Sequence, residues 1–456
     1  MGGADSLKKH ELAKMLTRAG LSKIQPTVYT RVIGVLLGAF PFLDLFLSRH
    51  SFTLFSGPLG YGPFICMYSL LPFWVIKHKF PTGVFAAILV VCSIGSFGAL
   101  RGIIPFMDYV KVVGSLVIPY TYYWYLWLFL GENVIKAFKL YLKGAYFVSI
   151  VGLLVLVDSI FHFGIYEGIN SVLRISRHPA EFGIRISGTL GEPTYFASTI
   201  APAACFSIYN MFFSDSPIRE KLREHDFIMG RIPTIVILSA SLLTYSTIAL
   251  AGMFLSVIFV LMMKRQFKTL LASLGAVLLL ASIAMNNAEV NNRITGLLDL
   301  SSSMDDGSIE PDAHGSSVVL YNHAVITWEN LKRNPLFGSG FATHPVATKE
   351  YSIFKGTTYD VISDMNAQDA SSMLLRIASE LGLFGIAMVA LFLTRGFIVL
   401  RSTDPTLTIL KLISSAFLVA IILNLLRQGN FILHGFPFFV FGYHFARKQF
   451  NSVKKS

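Results

Sequence analysis

In "RISGTLGEPTYFAST", residues 185–199, Arg185 is followed seven residues later by Glu192, which stands directly before Pro193 and a long apolar run. An arginine grips phosphate through a planar fork of donors. A carboxylate within hydrogen-bond reach can take the proton of a hydroxyl. Gly188 and Gly191 between them would let the backbone approach a ligand closely. Glu192 has a second reading, since a carboxylate just before a proline at a helix start is favoured by the helix dipole. Further arginines recur beside apolar segments at Arg101, Arg174, Arg177, Arg376 and Arg427. Each fits an anion-gripping role or plain snorkelling, in which the stem covers a helix end. Asp158 and Asp369 are the other carboxylates of interest, Asp158 because it lies within an apolar run. His314, His323 and His344 are spaced by nine and twenty-one residues. That spacing matches no compact metal-ligand motif, so neither metal nor cofactor is expected.

The elements that position these groups follow from composition. The chain has 456 residues, 54% hydrophobic and 14% charged, with a mean hydropathy of +0.61. Soluble domains carry about 25% charged residues. The expected class is therefore all-α and polytopic in a membrane, with about twelve spans of the length that crosses ~30 Å of hydrocarbon. They fall near 31–48, 58–76, 83–100, 112–130, 145–163, 194–213, 233–248, 249–263, 268–285, 372–394, 407–426 and 430–446. The seventh and eighth meet at "LLTYSTIALAG", which requires a tight turn.

Lysine and arginine provide an independent check, because short cytoplasmic loops are rich in them. With the N-terminus inside, every inner segment is basic, from Lys8, Lys9 and Lys14 through Lys136, Lys139 and Lys143 to Arg447 and Lys448. Both termini then lie inside. The net charge of +12 is spread over these loops, unlike the clustered patch of a nucleic-acid binder. Residues 286–370 are opposite in character, with eleven acidic and five basic residues. They form one large outer loop, and a loop of that length is usually functional. Residues 1–30 read as an amphipathic segment lying on the inner surface, with Leu12, Met15, Leu16 and Ala19 on one face. Residues 447–456 read as a basic inner tail. Cys66, Cys92 and Cys205 all fall within expected spans, so no disulfide framework is implied.

Four stretches, in order, resemble the family of bacterial O-antigen and capsule polysaccharide polymerases. They are "RISGTLGEPTYFAS", the turn in "LLTYSTIALAGMFLSVIFVLMM", "ENLKRNPLFGSGFATH", and "AQDASSMLLRIASELGLFGIAMVALFL" with its Glu380, Gly382 and Gly385. Together they cover about 180–395. O-antigen ligases of the same family carry a histidine, then Asn, Ser or Gln, then nine residues before Gly-x-x-Gly. Counting back from Gly382 finds Ser371 and Ser372 there. That favours polymerase over ligase and leaves the base unassigned.

The resemblance implies a type C glycosyltransferase-like fold in the bacterial inner membrane, with 31–285 holding spans one to nine, 286–370 a periplasmic loop and 371–446 spans ten to twelve. The implied reaction moves a glycan from undecaprenyl pyrophosphate to another lipid-linked repeat unit, with no nucleic acid involved. Arg185 would stabilise the leaving pyrophosphate, with Arg427 and Arg177 as helpers. Arg376, Arg101, Tyr195 and His344 would contact pyrophosphate or glycan, and Tyr321 and Trp328 suit stacking on sugar rings or ordinary packing. Glu192 is the first candidate base, Asp369 the second, and His323 an alternative. A chain-length regulator is a possible partner. The rival class is a transporter or flippase, against which no repeat relates the two halves of the chain.

Overall fold

Pro405 opens a 23-residue apolar helix, and Asp404 caps it by accepting from the amides of Thr406 and Leu407 at 2.7 and 3.2 Å. Proline at the first position loses no hydrogen bond, and the aspartate satisfies amides that otherwise lack partners. This helix, Pro405–Arg427, is the centre of the molecule. In its most apolar stretch 83% of residues are buried, against 11% for the helical run Thr82–Leu100.

The computed structural model describes residues 82–173, 178–180, 183–212, 217–225, 230–264, 315–355, 363–398, 404–431 and 435–455, with a few isolated residues besides. In chain order these form α1 (Thr82–Gly95), α2 (Phe97–Leu100), α3 (Phe106–Phe129), α4 (Val134–Phe161) and α5 (Ile165–Leu173). Then come β1 (His178–Ala180), β2 (Gly183–Arg185), α6 (Pro193–Phe212), α7 (Pro217–Glu224), α8 (Arg231–Leu242) and α9 (Thr247–Lys264). The remainder are α10 (Gly315–Arg333), α11 (His344–Tyr351), α12 (Met373–Gly396), α13 (Pro405–Arg427) and α14 (Phe436–Lys455). The chain is an α-helical membrane protein. Among the described residues four helical runs are long and apolar enough to cross a membrane, and two shorter apolar helices accompany them.

Helices α4, α6, α7, α9, α12 and α14 pack around α13. Aromatic rings fill the centre. Trp127 stacks on Phe438 at 5.1 Å, and Phe138 meets Phe417 edge-on at 5.3 Å. Nine of the twelve expected spans coincide with described helices, and 31–48, 58–76 and 268–285 lie almost wholly outside the described residues. α4 starts at Val134 rather than near 145, with Asn133 capping its first turn by accepting from Lys136 N at 3.0 Å. One local departure from an all-helical chain is the antiparallel pair β1–β2, which sets Arg185 opposite His178.

Asp158 has a structural role. It is buried near the end of α4, and its two carboxylate oxygens accept from the amides of Ile165 and Tyr166 at 2.8 and 3.1 Å. It thereby caps the first turn of α5.

Candidate functional site

α6 begins at Pro193, with Phe196 N donating to Glu192 O at 3.1 Å, so Glu192 stands at the helix start. It is exposed rather than buried, and its Oε2 accepts from the Thr194 hydroxyl at 3.2 Å. Arg185, at the end of β2, is fixed from another direction. Its Nε donates to Thr244 O at 3.1 Å, and the next amide, Ile186 N, donates to Leu243 O at 3.1 Å. Thr244 belongs to the tight α8–α9 turn, where Tyr245 takes a left-handed φ of 47°. The turn between two spans therefore serves as the seat of Arg185.

These groups open onto a polar cavity of about 240 Å³ lined by Arg185, Glu192, Thr194, Tyr195, Ser316, Asn366, Asp369, Ser371, Arg427, Gln428 and Gly429. Arg427, in the last turn of α13, donates from Nη2 to Ser316 O at 3.0 Å. Residues 366–371 form a tight wall. Asn366, Ala370 and Ser371 all have left-handed φ, between 54° and 58°. Such conformations cost on the order of 1–3 kcal/mol each and persist only where surroundings enforce them. Here Asp369 Oδ1 accepts from Ser371 N at 3.0 Å, and Asn366 Nδ2 donates to Ser371 Oγ at 2.9 Å. Five of the expected site residues thus share one cavity: Arg185, Glu192, Tyr195, Asp369 and Arg427. Ser371, at the position where the ligases hold histidine, lines it as well.

Arg376, His323 and His344 do not line this cavity. Arg376 is 9% exposed and engaged on three sides. Its Nε lies 3.3 Å from Glu380 Oε1, its Nη1 donates to Gly429 O at 3.3 Å, and its guanidinium sits 4.6 Å from the Phe431 ring centroid. Glu380 is fully buried, and its Oε1 also accepts from Ala342 N at 3.1 Å. Arg376 therefore holds the cavity-lining Gly429 in place instead of facing the cavity.

The two histidines form part of a directed hydrogen-bond chain. The Met365 carbonyl can only accept, so His323 Nε2, 2.8 Å away, carries a proton. His323 Nδ1 then accepts from His344 Nε2 at 3.1 Å, and His344 Nδ1 accepts from the Ser379 hydroxyl at 3.0 Å. Asn330 Nδ2 donates to that Ser379 oxygen at 2.8 Å. Burial pushes both histidines below their ordinary value; for His344 the neighbouring His323 and Arg376 push further, while the Met365 bond and Asp369 partly restore His323. The chain runs through neutral rings and ends on the residue before Asn366.

The glycine motifs meet each other. α12 breaks at Gly382, with φ 64° and ψ −156°, and residues 335–340 lie along the break. Ser339 N and Gly340 N donate to Ser379 O and Glu380 O at 3.1 and 2.9 Å, while Leu383 N and Phe384 N donate to Pro335 O and Leu336 O at 2.9 and 3.0 Å. Four backbone bonds replace those the break removes. A Cβ at Gly338 would lie 2.6 Å from Glu380 O, so the contact requires glycine. Gly188 is also a packing glycine, because a Cβ there would meet the Phe196 ring at 2.6 Å. Its expected approach to a ligand gives way to this contact.

Arg101 lies apart from the cavity, donating from Nη1 to Asn334 Oδ1 at 3.2 Å. Trp328 is exposed. Arg174, Arg177 and His314 fall outside the described residues. Among the described residues no three His, Cys, Asp or Glu side chains gather to hold a metal ion. Sequence reasoning missed Ser316, Asn366 and Gln428 as cavity walls and Glu380 as the anchor of Arg376. Only Glu380 carried a signal, as a carboxylate four residues from an arginine in an expected span.

Residues 232–390 match a family model described as O-antigen ligase. The match takes in the α8–α9 turn, α10, α11 and most of α12; Arg185, Glu192 and Arg427 lie beyond it. No curated protein matches the chain.

Proposed function

We propose that this chain, a member of the O-antigen polymerase/ligase family, is a polysaccharide polymerase working on lipid-linked substrates. The observation that carries the reading is the single cavity holding Arg185 and Arg427 together with Glu192 and Asp369. Two guanidiniums suit a departing pyrophosphate, and two carboxylates suit an incoming hydroxyl. In this reaction the terminal hydroxyl oxygen of one lipid-linked repeat attacks the anomeric carbon of a glycan on undecaprenyl pyrophosphate. The bond from that carbon to the pyrophosphate oxygen breaks, and undecaprenyl pyrophosphate leaves with the electron pair. The hydroxyl proton passes to Glu192, with Asp369 as the second candidate. Because the leaving group is already acidic, it needs charge stabilisation more than a proton, and preorganised donors supply that. No metal enters the scheme.

In this proposal the cavity faces the periplasmic side of the inner membrane, with both termini in the cytoplasm and 286–370 outside, an orientation supported by the basic segments. Arg177 joins the pyrophosphate contacts in this scheme, and a chain-length regulator is a partner to be tested by co-purification. Ligase activity is the second reading, and the matched model's description favours it. Against it stands Ser371, which lines the cavity where the ligases carry histidine. The glycan pattern of a strain lacking the protein separates the two. A single lipid-linked repeat in place of a ladder supports polymerisation. Long lipid-linked chains with no surface glycan would sink it in favour of ligation.

A further inference from the structure

Arg101, immediately after α2, is an oriented cation without a counter-charge among the described residues. Its Nη1 meets Asn334 Oδ1 at 3.2 Å and its guanidinium lies 5.8 Å from the Phe97 ring centroid. The Asn334 carboxamide is itself held, because its Nδ2 donates to Asn330 Oδ1 at 3.3 Å, leaving the oxygen for Arg101. No carboxylate pairs with Arg101 among the described residues. Its neighbour across the cleft, Arg333, differs, with Glu350 at 2.8 Å and the Tyr351 ring 4.9 Å away. Arg101, Arg333, Asn334 and Phe97 line a cleft of about 210 Å³ whose remaining wall is residues 335–338.

That wall is firm, because residues 335–340 are bonded along the break in α12 and Phe341 N donates to Gly95 O at 2.8 Å. The surroundings are strongly apolar. Leu100 is 76% exposed, Phe106 66%, Met107 62% and Leu336 62%. Exposed apolar side chains in such number read as contact with lipid rather than water. A fixed guanidinium at an apolar rim is the setting in which a phosphate lies in a membrane boundary.

We propose that this cleft is a second site, binding the phosphate of a lipid head group. The inference rests on the polymerase reading, in which each turnover joins two lipid-linked molecules, each with its own pyrophosphate. Arg185 and Arg427 serve the one that departs, and Arg101 holds the head of the one that accepts. An anionic phospholipid presents the same chemistry, so the source is part of the test.

The test measures binding of undecaprenyl pyrophosphate to the full chain reconstituted in phosphatidylcholine vesicles, and again in vesicles containing phosphatidylglycerol. Wild-type protein should bind two molecules. Arg101→Gln should weaken one of them on the order of ten- to hundredfold, the loss of a charge-assisted contact. Arg185→Gln should weaken the other and leave the Arg101-dependent one intact. Persistence of the Arg101-dependent binding beside phosphatidylglycerol identifies the acceptor pyrophosphate. Displacement identifies a phospholipid head, and the lipid-phosphate site still stands. Binding that is unchanged by Arg101→Gln in both vesicles overturns the proposal while leaving the Arg185 site untouched. Failure of both sites to bind sinks the polymerase reading itself.

Discussion

Two sets of polar side chains meet at segments 365–371 and 428–431, one lining the cavity these segments help form and the other bonded behind them, and they differ in burial. The cavity set, Arg185, Glu192, Asp369 and Arg427, lines an open polar cavity, with each arginine anchored by a bond to a backbone carbonyl. The supporting set, His323, His344, Arg376 and Glu380, is buried and bonded to its neighbours, Glu380 through Oε1 while its Oε2 is buried without a hydrogen bond. Burial in an apolar medium forces polar groups to pair or to become neutral. Groups that have done so can support a wall, whereas charged groups that line an open cavity can meet a ligand. Sequence alone makes both sets look alike.

The sharpest way to break this distinction is to unpair the supporting set. Arg376→Met leaves the Glu380 carboxylate buried without its cation, and breaking such a pair costs about 3–5 kcal/mol. Yield and thermal stability in detergent should fall together. A double variant, Arg376→Met with Glu380→Met, should recover much of that loss, because an apolar pair of similar size removes the buried charge. Normal stability of the single variant combined with lost activity would instead place Arg376 on the substrate.

The cavity set should respond the other way, losing rate while keeping fold. Arg185→Ala should cost on the order of 10²–10³ in chain extension at normal membrane level. Arg185→Lys should fail nearly as badly, since a point charge lacks the fork. A full-length glycan ladder from Arg185→Ala would leave Arg185 as a structural link between β2 and the α8–α9 turn. Glu192→Gln and Asp369→Asn then compare the two candidate bases. The base should cost about 10²-fold or more. Asp369→Asn carries a separate risk, because Asp369 Oδ1 accepts from Ser371 N, so its thermal stability must be measured beside its rate.

How much of this was legible follows from where the signals lie. Helix starts are local, and Asn133, Asp404 and Pro193 announce α4, α13 and α6. Yet hydropathy placed the fifth span near 145, because Lys136, Lys139 and Lys143 lower the average over a stretch that is helical throughout. Arg185, Glu192, Asp369 and Arg427 were recognisable as chemistry, and the structure brings them into one cavity. The supporting set was not separable from them. His323 and Met365 lie 42 residues apart, and Arg376 and Gly429 lie 53 apart, so only tertiary contact reveals the pairing. The left-handed run at Asn366, Ala370 and Ser371 contains no glycine to announce it.

The smallest expected effect tests whether the histidine chain is as neutral as its hydrogen bonds require. His323 and His344 both titrate below their ordinary value in the folded protein. Unfolded chains bind protons to histidine near pH 6.5, so below that value the unfolded state takes up protons that the folded state refuses. Stability contributed by the pair is therefore present above about pH 6.5 and lost as pH falls toward the folded values. As pH falls from about 7.5 to 5 the wild-type protein should lose stability through this pair. His344→Gln removes one titration while keeping an amide that can donate to His323 Nδ1 and an oxygen that can accept from Ser379. Thermal unfolding across that range should show a shallower acid loss for the variant, with neutral-pH activity within a few-fold of wild type. If the acid loss is unchanged and extension at neutral pH collapses instead, the ring of His344 carries protons in the reaction, and the buried set can no longer be read as support alone.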